Sequence, residues 1–375
     1  MSKAITKEEL QKILQNKKLR QHLAYEDPLW FSLIYLRHYF EYPFAPFHGE
    51  MFQIMRDPKY KLIVVMAFRG SGKSTIMNMA NTLWSILGKP QKKCVVIVSQ
   101  TLEQAKNHFT SIKDELLSND LLREDFGPYT ENEGEWKKIF LDLIYHGSKI
   151  QSVSWETSVR GIKHGSIRPD LIICDDLEDS SARTDKIKRE ELYARFVSEI
   201  LPLGSKNTKI IVLGNLICKE SLIMQLKNDI RNNQQDGIFR AYPIIDNDRR
   251  ILWPEKYKNI EEIKEIWRRL PRDVWAREYV LKVLGSNENG KRPHVLINDV
   301  FGDPYDPACE KNMRFPRQKH VLPKMKKFNI SPPGEESISF VYSSKYELEY
   351  WHNFGNIFLD EPMLSQNERI EKIKR

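Results

Sequence analysis

Three short stretches of this 375-residue chain hold residue types whose spacing suits chemistry on phosphate. The first is Met66-Ala-Phe-Arg-Gly-Ser-Gly-Lys-Ser-Thr75. Gly70 and Gly72 allow a backbone to approach an anion closely, Lys73 suits a bridge between β- and γ-phosphates, and the Ser74 hydroxyl suits Mg2+. Ala67 stands where the full phosphate-loop pattern has Gly, a change that costs little unless the position needs a positive φ. The second stretch, Pro169-Asp-Leu-Ile-Ile-Cys-Asp-Asp176, is a run of apolar residues ending in adjacent carboxylates. Asp175 would anchor Mg2+ through water, and Asp176 would orient or deprotonate an attacking water, with Glu178 and Asp179 near enough to compete for that second role. In the third, Val212-Leu-Gly-Asn-Leu216, a small residue followed by the Asn215 amide can sense a γ-phosphate and relay its loss.

Such groups act together only if strands deliver them to one edge of a sheet. Short apolar runs predict strands at 62–66, 94–98, 171–174 and 209–213, and amphipathic patterns predict helices at 73–87, 101–118, 185–200 and 219–229. Near-continuous β-branched strands alternating with helices predict an α/β fold, a mostly parallel central sheet flanked by helices. The first motif then lies between a strand and a helix, where loop amides and the helix's positive end face one phosphate. In open sheets of this kind ligands bind beyond the C-terminal strand ends, where Asp175, Asp176 and Asn215 also fall.

The lead-in over 1–45 reads as helical. Thr6 and Glu9 form a capping box, and Asp27-Pro28 starts a second helix whose aromatics, Trp30, Phe31, Tyr35, Tyr39 and Phe40, suit a core. A short helix is expected around 48–55, and two more at 260–270 and 271–283. Ser286-Asn-Glu-Asn-Gly290 has linker composition, and 286–375 reads as an irregular tail.

Composition bounds the function classes. With 59 Lys and Arg against 51 Asp and Glu the net charge is +8, which excludes an acidic disordered chain and hints at an anionic partner. The longest apolar stretch, Lys61-Leu-Ile-Val-Val-Met-Ala67, is strand-sized, so no membrane span is expected. The N-terminus lacks the apolar run of a signal peptide. Cys94, Cys174, Cys218 and Cys309 form no Cys-x-x-Cys pair, which points to buried thiols in a reducing compartment.

The motifs taken in order resemble the ATPase portion of large terminase subunits, the motors that drive viral DNA into capsids. Arg69 lies within the loop, four residues before Lys73, where the family carries an arginine that acts on the phosphates. Pro46-Phe-His-Gly-Glu50 resembles the element that contacts adenine, which implies Pro46 and Phe47 at the base. Ser99-Gln-Thr-Leu-Glu-Gln-Ala105 with Glu115-Leu-Leu-Ser-Asn119, Arg160-Gly161 ahead of the acidic strand, Gly214-Asn215 at the coupling motif and Leu252-Trp-Pro-Glu255 at the domain's close are similar to further family segments. Asp176 departs from the Glu usual at the second acidic position, which leaves Asp176 and Glu178 both open as the catalytic carboxylate.

The resemblance covers 43–285 and implies a P-loop NTPase domain of the ASCE type over 46–285. It implies ATP and Mg2+, with nucleotide on Arg69, Gly70, Ser71, Gly72, Lys73, Ser74 and Thr75, metal on Ser74 and Asp175, and catalysis by Arg69, Lys73, Asp176 and Asn215. It further implies double-stranded DNA, the viral portal, the small terminase subunit and a homo-oligomeric ring as partners, in the cytoplasm of an infected cell and transiently at the procapsid portal. Arg160 and Arg168 are candidates for an arginine acting on a neighbour's nucleotide. The family continues into an RNase H-like nuclease. About ninety residues follow Gly285, too few for that fold, and Asp299, Asp303, Asp306 and Asp360 read as surface acids, so nuclease activity is not expected. Two other readings fit the same motifs: a helicase-like nucleic-acid-dependent translocase, and a non-hydrolysing nucleotide- or DNA-binding scaffold from a split gene.

Overall fold

In the computed structural model, strands β1 (Leu62–Ala67), β2 (Cys94–Ser99), β3 (Phe140–Leu143), β4 (Ser148–Ser154), β5 (Leu171–Asp175), β6 (Lys209–Gly214) and β7 (Gly237–Tyr242) form one seven-stranded sheet. Residues 7–129, 140–157, 159–246, 250–283, 326–330 and 338–342 are described. The order is β3-β4-β2-β5-β6-β1-β7, and every neighbouring pair is parallel except β3 with β4. β6 therefore separates the phosphate-loop strand β1 from the acidic strand β5.

The register fixes the height of the site. Val65 pairs with Leu213, Leu213 with Asp175, Asp175 with Ser99, and Ser99 with Ser154, so these residues form one row across five strands. Asp175 thus ends β5 level with the last residues of β1 before the loop.

Helices cover both faces, as two-sided burial of the strands requires. In chain order they are α1 (Lys7–Gln15), α2 (Lys17–Glu26), α3 (Pro28–Tyr35), α4 (Pro46–Arg56), α5 (Asn81–Leu87), α6 (Leu102–Ser118), α7 (Asp120–Phe126), α8 (Lys186–Arg195), α9 (Leu222–Arg231), α10 (Ile260–Arg269) and α11 (Arg272–Glu278). Alternation along the strands sorts side chains into two cores. Ile63, Val65, Ala67, Ile97, Ile173 and Ile211 pack with the first seven helices and the segment after β7. Leu62, Val64, Met66, Val96, Ile172 and Val212 pack with α8 and α9. The lead-in helices belong to the first core: Asp27 caps α3 through Leu29 N (2.9 Å), and Trp30, Phe31 and Tyr35 are buried as expected, whereas α3 stops at Tyr35, Phe40 is partly buried and Tyr39 is exposed.

The structure differs from the sequence reading in places. The helix expected at 73–87 is π-helical over Thr75–Ala80 before α5, and α8 likewise ends in a π turn at Phe196–Ile200. Strands β3, β4 and β7 go beyond the sequence expectation, and α11 stops at Glu278, short of 283. In the region read as an irregular tail, β8 (Lys326–Ile330) and β9 (Ile338–Tyr342) pair antiparallel. Thr6, Cys309 and the tail acids Asp299, Asp303, Asp306 and Asp360 lie outside the described residues. Among the described residues no helix is long and apolar enough to cross a membrane.

Candidate nucleotide site

β1 ends at Ala67, and the backbone then turns sharply: Gly70 and Gly72 have φ of +76° and +81°. Side-chain-bearing residues are strained there, so glycine at these two positions is a geometric requirement. Ser71 N–H closes the turn on Phe68 C=O (3.1 Å), and Ile76 N–H bonds Gly72 C=O (3.0 Å) as the helical segment begins. Ala67 lies within β1, not at a positive φ, so its methyl group costs the loop nothing.

Lys73 is buried and donates to Asn215 Oδ1 (2.9 Å) at the end of β6, with its ammonium 3.9 Å from Asp176 Oδ1. The loop lysine and the β6 amide, read from separate motifs, are therefore in direct contact. Ser74 Oγ donates to Asp175 Oδ1 (3.1 Å), and Asn78 Nδ2, from the π-helical turn, donates to Asp175 Oδ2 (3.0 Å). His108 Nε2 of α6 lies 3.5 Å from the same oxygen. A buried carboxylate is costly unless its lone pairs are taken up. Ser74, Asn78 and His108 supply those partners, and thereby fix where Asp175 points.

Asp176 has φ +48°, an uncommon left-handed conformation that Asp tolerates better than most residues. Its side chain is half exposed, and its carboxyl lies above the usual aspartate range: desolvation and the Asp175 charge outweigh the attraction of Lys73. A cleft of about 350 Å3 opens beside it, walled by Gln100, Gln104, Glu178, Gly214 and Asn215. Glu178 also lines this cleft, but its Oε1 accepts Leu222 N–H (2.8 Å) at the start of α9. Burial pushes the Glu178 carboxyl up to about 7. Glu178 is thus the cap of a helix, while Asp176 faces the loop lysine.

Arg69 projects from the loop with a largely exposed side chain, Nη1 2.8 Å from Glu278 Oε2 at the end of α11, and its backbone N–H donates to Glu278 C=O (2.8 Å). Thr75 begins the π turn, and Ser71 is buried with an Oγ that has no partner among the described residues. Pro46 opens α4 and is exposed. Phe47 is not: its ring packs against His48, Phe68, Tyr242 and Trp253 and is 5% exposed, which leaves no face for stacking on adenine. Arg160 and Arg168 are exposed, with Arg160 3.4 Å from Glu199 and Arg168 donating to Pro202 C=O (3.4 Å). Cys94, Cys174 and Cys218 are buried free thiols, and burial pushes Cys94 up to about 11.

The sequence reading missed Asn78, His108, His48, Lys256 and Glu278. Asn78 left a trace, a lone amide in the apolar run Ile76-Met-Asn-Met-Ala80. His48 lies inside the Pro46–Glu50 segment that the resemblance singles out, though without a role in holding the loop, and His108, Lys256 and Glu278 lie far along the chain from their partners and left no trace.

No protein-family profile matches the chain, and neither does any curated protein. Solved structures of phage large terminases are similar to it in chain path. The large terminase of bacteriophage HK97 aligns over 55% of this chain and 41% of its own, at 16% identity and a TM-score of 0.37. The chain thus spans under half the length of that protein. The large terminase ATPase domain of Thermus phage P74-26 aligns over 62% of this chain and 92% of its own, at 17% identity and a TM-score of 0.40. The large terminase of a thermophilic bacteriophage, solved in complex with ADP, aligns over 85% of this chain and 75% of its own, at 12% identity and a TM-score of 0.45. The placement of the site rests on this chain's own geometry.

Proposed function

We propose that the chain is an ATP-hydrolysing motor subunit of the large-terminase kind, which couples ATP turnover to movement of double-stranded DNA into a viral capsid. The observation that carries this reading is the hydrogen bond from Lys73 to Asn215, which wires the phosphate loop to the strand that resembles the family's coupling motif. Ordered recurrence of the family's other segments over 43–285 supports it.

The donors fit Mg2+ that arrives with the nucleotide. Mg2+ favours one or two protein oxygens completed by phosphate and water, and Ser74 Oγ and Asp175 Oδ1 are such a pair. Among the described residues no group of three or more His, Cys, Asp or Glu side chains forms a dedicated cage. When bound, Mg2+ would neutralise charge on the β- and γ-phosphates.

Lys73 would exchange Asn215 for phosphate oxygens, leaving the amide to report whether a γ-phosphate is present. Asp176, facing the open cleft with a raised affinity for protons, would take the proton of the attacking water. Arg69 would exchange Glu278 for the phosphates, since its side chain is largely exposed and a solvent-exposed pair of this kind is worth at most about 1 kcal/mol. DNA would be held through its phosphates without regard to sequence. A ring of copies, the portal and the small terminase subunit complete the proposed assembly, with Arg160 or Arg168 reaching a neighbour's site.

Phosphate release measured with and without duplex DNA tests the proposal. Wild-type protein is expected to turn over ATP faster with DNA, and Lys73→Ala to lose turnover with its fold intact by circular dichroism. Full turnover in Lys73→Ala would overturn the reading.

A further inference from the structure

The outer face of the phosphate loop is gripped by two side chains from distant parts of the chain, on two consecutive carbonyls. His48 of α4 is 1% exposed, and its Nδ1 accepts Ala45 N–H (2.9 Å). The ring proton therefore sits on Nε2, which donates to Ser71 C=O (2.8 Å). Lys256, past β7, donates from Nζ to Gly70 C=O (2.8 Å). Trp253 joins the two: its ring centroid is 4.5 Å from that of His48, the Lys256 ammonium lies 4.9 Å from it, and its Nε1 donates to Pro43 C=O (2.8 Å). Tyr257 and Tyr42 place further rings within 5.5 and 5.9 Å of the ammonium.

A planar peptide sends its C=O and N–H in opposite directions. The Gly70–Ser71 peptide is pinned at both ends, by Lys256 on its oxygen and Phe68 C=O on its N–H. In the Ser71–Gly72 peptide, His48 holds the oxygen outside, which turns the Gly72 N–H to the inner side, where an anion would lie. Without those two donors, the Gly70–Ser71 peptide would keep only its bond to Phe68 C=O and the Ser71–Gly72 peptide would lose the hold on its oxygen, beside glycines whose positive φ resists no rotation.

We propose that His48 and Lys256 are positioning residues for nucleotide binding, a clamp that holds the phosphate loop preformed before the triphosphate arrives. This rests on the ATP reading above. Preorganisation of this kind appears in affinity, because the ordering cost is met before binding. His48 serves here through the loop, and neither ring nitrogen is left for a base.

The test uses the full chain, with Kd for a non-hydrolysable ATP analogue, KM and kcat measured beside thermal stability. Lys256→Met keeps an unbranched side chain beside Trp253 and removes the donor. His48→Phe keeps an aromatic ring and does the same. Each is expected to weaken analogue binding roughly tenfold, the worth of one charge-assisted or buried hydrogen bond, and to raise KM more than it lowers kcat. Lys256→Arg and His48→Gln, which restore a donor, are expected to recover most of that loss. Amide exchange at 70–72 in the nucleotide-free protein should quicken in the two donor-less variants. Unchanged analogue affinity in a folded Lys256→Met, or loss that Lys256→Arg does not recover, overturns the clamp. Wild-type binding by Lys73→Ala overturns the ATP reading itself, so the two failures are told apart.

Discussion

Lys73 holds Asn215 at 2.9 Å and sees Asp176 at 3.9 Å, so a triphosphate bound as proposed would compete for a cation that already has partners. The carboxylates divide the remaining work by their surroundings. Asp175 is buried and held by Ser74 and Asn78, which suits an anchor; Asp176 is half exposed on a cleft, which suits proton transfer. Asp176→Asn should therefore bind the ATP analogue within a few-fold of wild type and lose at least about a hundredfold in kcat, the usual scale of general-base catalysis. Glu178→Gln should retain turnover, because an amide oxygen still accepts Leu222 N–H. The opposite pattern in single-turnover assays would move the base to Glu178. Lys73, Ser74, Asp175 and Asp176 were legible because a loop and an acidic strand each carry their own local pattern. His48, Lys256 and Glu278 were not, because each acts on the loop across more than twenty residues of chain, and only the fold brings them there.

At the scale of elements, Glu178 ties the end of β5 to the start of α9 and carries a proton affinity raised to about 7 from 4.5. A carboxyl raised on folding favours the folded state most at low pH, and that contribution is lost as pH climbs from about 4.5 through 7. Thermal unfolding followed across this window should show Glu178→Gln gaining stability relative to wild type as pH rises. A parallel shift at every pH would show that this carboxyl does not titrate as described. The four apolar strands were legible from their continuous β-branched runs. β4, Ser148-Lys-Ile-Gln-Ser-Val-Ser154, was not, because buried serines take its polar places: Ser152 Oγ donates to Ala105 C=O (2.8 Å) and Ser154 Oγ to Gln100 C=O (3.1 Å). β3 is four residues long, and β7 is an edge strand with polar residues among its apolar ones. The π turn at Thr75–Ala80 left no mark in composition, yet it is what carries Asn78 to Asp175.

For the molecule as a whole, the +8 charge is the only signal of an anionic partner that composition carries, and it is diffuse. The proposed hold on duplex DNA makes it measurable. DNA stimulation of ATP turnover should fall steeply between about 50 and 200 mM salt, while DNA-independent turnover changes little, since counterion release enters only the former. Equal salt dependence of both would remove DNA phosphates from the account. The fold class and the chain order of the site motifs were visible in the sequence; the division into two cores was not, since strand alternation has no meaning until the sheet's neighbours are known.

The row that joins Val65, Leu213, Asp175, Ser99 and Ser154 has one more implication. Successive strand side chains face opposite ways, so a slip of one residue in β5 would carry Asp175 to the side of α8 and α9, away from Ser74 and Asn78. A chain mispaired in this manner could still bury its apolar residues and look folded to a spectrometer. It could not bring Ser74 Oγ and Asp175 Oδ1, the pair proposed to hold Mg2+, together. Under the proposed ATP reading, nucleotide capture would then discriminate between sheets: only molecules with correct strand pairing would gain the ligand and the stability that comes with it.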